Sequence, residues 1–172
     1  KGIPFAPEAS KTTSIRRLYM GLTGLAPSRA EVEVFLNDKD PQDWSKLVDK
    51  VLNSQRFGER WARHWLDLAR FAESNGYAFD KDRKGAFHYR DFVIKALNAD
   101  LPYDEFVRMQ LAGDLIDDKS QDHVAATGFI AAGPFTSQQT AKERERSRYE
   151  QLDDLIGTVG TTMLGLSVAC AR

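Results

Sequence analysis

The chain has 172 residues, with 24 Lys plus Arg set against 25 Asp plus Glu and a formal net charge of −1. Charges so evenly matched supply no basic face, which speaks against a nucleic-acid partner. With 42% hydrophobic residues, 10 Phe, 5 Tyr and 3 Trp, the chain is no disordered tail, because one domain of this size buries roughly 70% of its unfolded surface. Cys170 is the only cysteine, so no internal disulfide forms and packing holds the fold. Lys1 leads without a basic and then apolar signal pattern, and the chain therefore reads as mature or as excised from a larger multidomain protein.

Apolar residues recur at helical spacing from the start. A first helix is expected from about Thr12 to Thr23, with Ile15, Leu18, Tyr19 and Leu22 on one face. Ser28 then stands as an N-cap, with Glu31 in capping-box position and Val32, Val34, Phe35 and Leu36 behind it. A third helix is expected to begin near Asp40, with Pro41 at its first position, and to bury Trp44, Leu47, Val48, Val51 and Leu52.

The segment Arg56 to Ser74 reads RFGERWARHWLDLARFAES, and Ser54 is placed to cap it. At about 100° per residue, Phe57, Trp61, Trp65, Leu68 and Ala72 share one arc, which Ala62, Leu66 and Ala69 widen. A largely buried helix is expected. Glu59, Arg63, Asp67 and Arg70 fall on the polar face, where Glu59 with Arg63 and Arg63 with Asp67 are i, i+4 pairs. The turn-rich stretch NGYAFDKDRKG follows. Helices then resume from about Ala86 to Ala99, with Tyr89, Phe92, Val93 and Leu97 inward, and from Leu101-Pro102 through Phe106, Val107, Met109, Gln110 and Leu111. A short helix over Asp122 to Ala132 stops at Gly133-Pro134, and the charged run Lys142 to Glu150 opens the last one.

Neither strand-like alternation nor a fixed-period repeat is found, so the expectation is one all-α domain over residues 1–172, with seven or eight helices. The run Leu155 to Ala171, LIGTVGTTMLGLSVACA, carries no charge. At 1.5 Å per residue it reaches about 25 Å, short of the roughly 30 Å hydrocarbon core. It is read as a buried core helix and not as a membrane span.

Three constellations have residue types that could carry chemistry. His64 falls inside the apolar arc of its helix, between Phe57 and Phe71 in projection, with Asp67 one turn on and Arg60 one turn before, and a carboxylate at i+3 can orient an imidazole as general base. A half-buried histidine bonded to a neighbouring helix is the alternative. His88 and His123 make no metal-ligand pair with helical spacing, and HExxH and CxxC are missing, so no metal is assigned. Asp80, Asp82, Lys84, Gly85 and Asp91 fall at calcium-loop positions, but Lys84 puts a cation where an oxygen ligand belongs and Asp91 is shorter than the usual glutamate. An ordinary helix-connecting loop is the preferred reading. Finally, Cys170-Ala171-Arg172 has the opening of C-x-x-C-H, the haem c attachment motif, with only the first required residue present. By spacing alone a lone buried thiol is the preferred reading.

Four long stretches, RRLYMGLTGLAPSRAEVEVFL, RFGERWARHWLDLARFAESNGY, HYRDFVIKALNADLPYDEFVRMQLAGDLI and YEQLDDLIGTVGTTMLGLSVACAR, together resemble one family. It is the domain of unknown function found beside cytochrome c-like domains in large planctomycete-type proteins. The resemblance implies that the last stretch continues into Cys-His, with Cys170 as the first thioether cysteine of a haem c site in the full-length parent. No haem is then expected on these 172 residues alone. It further implies an extracytoplasmic location and, as partners, other domains of the same polypeptide, including the cytochrome c-like ones. No catalytic role for His64 or Asp67 comes with it.

The expected function is thus a helical module of an extracytoplasmic c-type cytochrome-containing protein, related to redox work or electron transfer. The alternative is a non-catalytic interaction or ligand-binding module, which an exposed apolar patch around Leu155 to Ala171 would favour. A third possibility, a hydrolase using His64 and Asp67, calls for a deep pocket holding both.

Overall fold

Ser10 is extended, and its hydroxyl accepts the Thr13 amide at 3.3 Å. That cap starts α1, Lys11–Leu22, in a computed structural model that describes residues 6–76, 81–116, 120–135 and 139–168. The remaining helices are α2 (Arg29–Asn37), α3 (Asp43–Leu52), α4 (Gln55–Leu68), α5 (Phe87–Asn98), α6 (Tyr103–Ala112), α7 (Gln121–Ala126), α8 (Gly128–Ala131) and α9 (Ala141–Leu164). A single 3-10 turn, Gly113–Leu115, follows α6. The all-α expectation holds, since no strand occurs among the described residues and the sole pairing there is an isolated antiparallel bridge, Ser74 with Asp82.

The chain divides into two packed units, Lys1–Trp61 and Ala62–Arg172, and the division falls inside α4. In the first unit α1 packs on α2 and α3. Ile15, Tyr19, Phe35, Leu47 and Val51 form its core, with Leu18, Leu22 and Val32 against them. Both halves of the predicted capping box are present at Ser28, whose hydroxyl accepts the Glu31 amide while Glu31 Oε2 accepts the Ser28 amide at 2.8 Å. The other Glu31 oxygen accepts from the Tyr19 hydroxyl at 2.8 Å. Burial, followed by the Glu31 contact, pushes the Tyr19 hydroxyl up to about 12, and the hydrogen bonds from Ser28 hold Glu31 below the usual carboxylate range. Pro41 is not the first residue of α3. Asp40 Oδ1 accepts the Gln42 amide at 2.8 Å, and this local turn displaces the helix start to Asp43.

The second unit is built around Ala62, Leu66, Ala69, Tyr89, Phe92, Val93, Ala96, Phe106, Met109, Ala126 and Phe129. Here α5 and α6 both pack on α7 and α8. The expected helix over Asp122 to Ala132 is two short helices, because the chain turns at Thr127. Gly128 opens the second of them, and a Cβ there would lie 2.5 Å from Tyr89 Cβ, a spacing only glycine permits.

Two expectations fail in α4. The helix stops at Leu68 and not at Ser74, because Arg70 adopts a left-handed φ of 57° and the Phe71 amide donates back to Leu66 O at 2.9 Å. Its most buried line is the small-residue line Ala62, Leu66 and Ala69, while Trp61 is 41% exposed and Leu68 is exposed as well. Close approach over alanine turns the bulkier arc partly outward, leaving Trp65 half-buried.

The last helix also departs from expectation. α9 ends at Leu164, with Gly165 left-handed at φ 65° and the Leu166 amide donating to Gly160 O at 2.9 Å. It is not a buried core helix. Val159 and Met163 pack on the core, whereas Ile156 and Leu164 are 62% and 65% exposed. Among the described residues no helix is long and apolar enough to cross a membrane.

Candidate functional site

His64 lies on α4 with an exposed side chain, outside the apolar arc assigned to it, and Asp67 is exposed one turn on. Arg60 is half-buried, its stem near Gly24, and its Nε has no hydrogen-bond partner. None of the three lines any of the cavities described below. An imidazole and a carboxylate at a water-washed surface lack the desolvation that a hydrolytic pair requires.

The most enclosed polar group belongs instead to Gln110, fully buried on α6. Its Oε1 accepts from Trp65 Nε1 and from the Tyr89 hydroxyl, both at 2.8 Å, and its Nε2 donates to Phe106 O at 3.1 Å. Trp65 Nε1 also reaches the Tyr89 oxygen at 3.1 Å. Burial pushes the Tyr89 hydroxyl well above the usual tyrosine range. Every member has a partner, so this triangle fixes how α4, α5 and α6 pack and leaves no free group for catalysis.

Two arginines shape the surface beyond it. Arg83 follows the Ser74–Asp82 bridge, and its guanidinium donates to Asn75 Oδ1 at 2.8 Å, Ala131 O at 2.9 Å and Gly133 O at 2.6 Å. It therefore satisfies carbonyls at the end of α8. Arg70 pairs with Asp154 on α9. A cavity of about 500 Å³ beside that pair is lined by Glu150, Asp153, Thr158, Thr161 and Thr162, and another of about 370 Å³ by Asn75, Arg83, Phe135 and Gln151. A third, of about 550 Å³, is lined by Phe71, Tyr89, Val124 and Ala131 together with Lys84 and His88. None of these was singled out in the sequence as a site, since each joins residues 40 or more positions apart.

Of the calcium-loop positions, Asp80 lies outside the described residues. Asp82 takes part in the bridge, and Asp91 sits on α5 with its carboxylate on Arg90 at 3.0 Å. Among the described residues no three His, Cys, Asp or Glu side chains gather in a metal-holding group. Cys170 also lies outside the described residues. With one cysteine, these 172 residues do not by themselves provide both thioethers of haem c.

The remaining surface feature is α9. Tyr149, Leu152 and Ile156 recur at i, i+3 and i+7 and are all exposed, as are Leu164 and Leu166 further along. The first three share one side of the helix, so α9 carries an exposed apolar stripe.

Comparison with known proteins adds one finding. No curated protein and no solved structure matches the chain. A family model described as a protein of unknown function (DUF1549) matches residues 1–172.

Proposed function

The chain belongs to that family, PSCyt2, and on this premise we propose that it is a non-catalytic helical module of a larger extracytoplasmic polypeptide carrying c-type haem. It docks to a haem-bearing neighbour through the apolar side of α9, and its helices scaffold electron transfer that takes place next door. The observation that carries this reading is the exposed stripe Tyr149, Leu152 and Ile156, with Leu164 and Leu166 beyond it. The resemblance of the terminal stretch to a chain running into Cys-His supports the haem-bearing neighbour, with Cys170 as the first thioether cysteine.

The experiment is a pyridine haemochrome spectrum on a longer polypeptide extended past Arg172 and exported with haem-attachment machinery, beside the 172-residue chain. A c-type band in the longer protein alone is expected. Ile156→Glu with Leu164→Glu is then expected to leave the band in place and release the two domains to tumble separately in NMR relaxation. A folded, exported longer protein without the band refutes the haem context. Tumbling unchanged by the two substitutions refutes the docking face.

A further inference from the structure

We propose that the cavity of the second unit walled by Phe71, Tyr89, Val124 and Ala131 binds a small organic anion consisting of an apolar body and one carboxylate. Its volume of about 550 Å³ falls within the range of about 300–1,000 Å³ found for small-ligand sites. The walls are apolar, built from Phe71, Tyr89, Val124 and Ala131. Val124 is exposed although it stands on a short helix beside the core, so this wall has no cover of its own.

Charge decides the class of ligand. Among the described residues the cavity is lined by two basic side chains, Arg83 and Lys84, and by no carboxylate. The Arg83 guanidinium is already committed to three backbone carbonyls and Asn75. Lys84 makes no ion pair among the described residues, and His88 also lines the cavity. A carboxylate beside Lys84 supplies a counter-charge that no described residue gives it. The Tyr89 hydroxyl is committed to Gln110 in the interior, so Tyr89 offers the cavity ring carbons in place of a polar handle. That sets aside polyols, which need hydrogen-bonding walls, and inorganic phosphate, which would face apolar surface on most sides.

The test uses the full chain and two probes of nearly equal shape, 1-naphthoate and the neutral 1-naphthalenemethanol, titrated by calorimetry. Naphthoate is expected to bind saturably at one site and about two- to fivefold more tightly than the alcohol, the preference one exposed cation gives. Lys84→Gln is expected to erase that preference while leaving the alcohol's affinity unchanged. Ala131→Trp fills the cavity and abolishes both titrations; should that variant not fold, Ala72→Trp on another wall reads the same quantity. Absence of saturable binding to the folded chain overturns the proposal. So does equal affinity for the two probes, a preference that survives Lys84→Gln, or binding that persists when the cavity is filled.

Discussion

Replacing Gln110 by leucine keeps the side chain's volume and removes its polar atoms from a fully buried position. Trp65 Nε1 retains the Tyr89 oxygen at 3.1 Å, but the Tyr89 hydroxyl hydrogen loses its acceptor and has no other among the described residues. An orphaned buried hydroxyl costs about 1–3 kcal/mol, and the lost amide bond to Phe106 O adds about 1 kcal/mol, so Gln110→Leu is expected to cost about 2–4 kcal/mol. Tyr89→Phe alone leaves Gln110 paired with Trp65 and is expected to cost about 1 kcal/mol. The double variant removes the orphan along with the acceptor. Only the Trp65 N–H of a half-buried ring is then left without its partner, so the double variant is expected to be less destabilised than the sum by about 1–2 kcal/mol. Urea unfolding of the four proteins supplies the cycle. Additive costs, or a Gln110→Leu protein as stable as the parent, would show that the triangle does not hold these helices together.

Trp65→Ala is expected to cost about 3–5 kcal/mol and Trp61→Ala less than half of that, since Trp61 is 41% exposed; equal shifts in urea midpoint would contradict the assigned faces of α4. Gly128→Ala brings a methyl to 2.5 Å from Tyr89 Cβ, and an overpacking cost of about 1–3 kcal/mol is expected in thermal unfolding. Glu31 is held below the usual carboxylate range by the Ser28 bonds. Its contribution to stability is present above the unfolded-state pKa and is lost as pH falls through the lower folded value. Glu31→Gln should flatten the acid-side decline of the first unit, and an unchanged decline would remove Glu31 as its cause.

Local signals in the sequence translated well into structure wherever a single helix turn decides the outcome. Ser28 and Glu31 cap α2 as their spacing implies, and Ile15, Tyr19, Phe35, Leu47 and Val51 meet as the helical periodicity requires. What periodicity could not rank was the competition inside α4 between a broad aromatic arc and a narrow alanine line. Helix periodicity weights residues by size and polarity, while close packing rewards the side that lets helices approach. The apolar run in α9 misled for a related reason, because its composition matches a core helix although only part of its circumference meets the core. The cavities were invisible because they join loops and helices distant in sequence. His64, Asp67 and Arg60 were proposed from neighbourhood along one helix, which says nothing about enclosure.

Arg70 has a consequence for the order of folding. A left-handed backbone costs an arginine about 1–2 kcal/mol that a glycine would avoid, and its ion pair is with Asp154, 84 residues downstream. The Phe71 bond to Leu66 O closes the end of α4 within its own turn. In a chain emerging from its N-terminus, that local closure is available first, and the Asp154 carboxylate adds its counter-charge to Arg70 only once α9 is made. The end of the fourth helix is thus set locally and reinforced late.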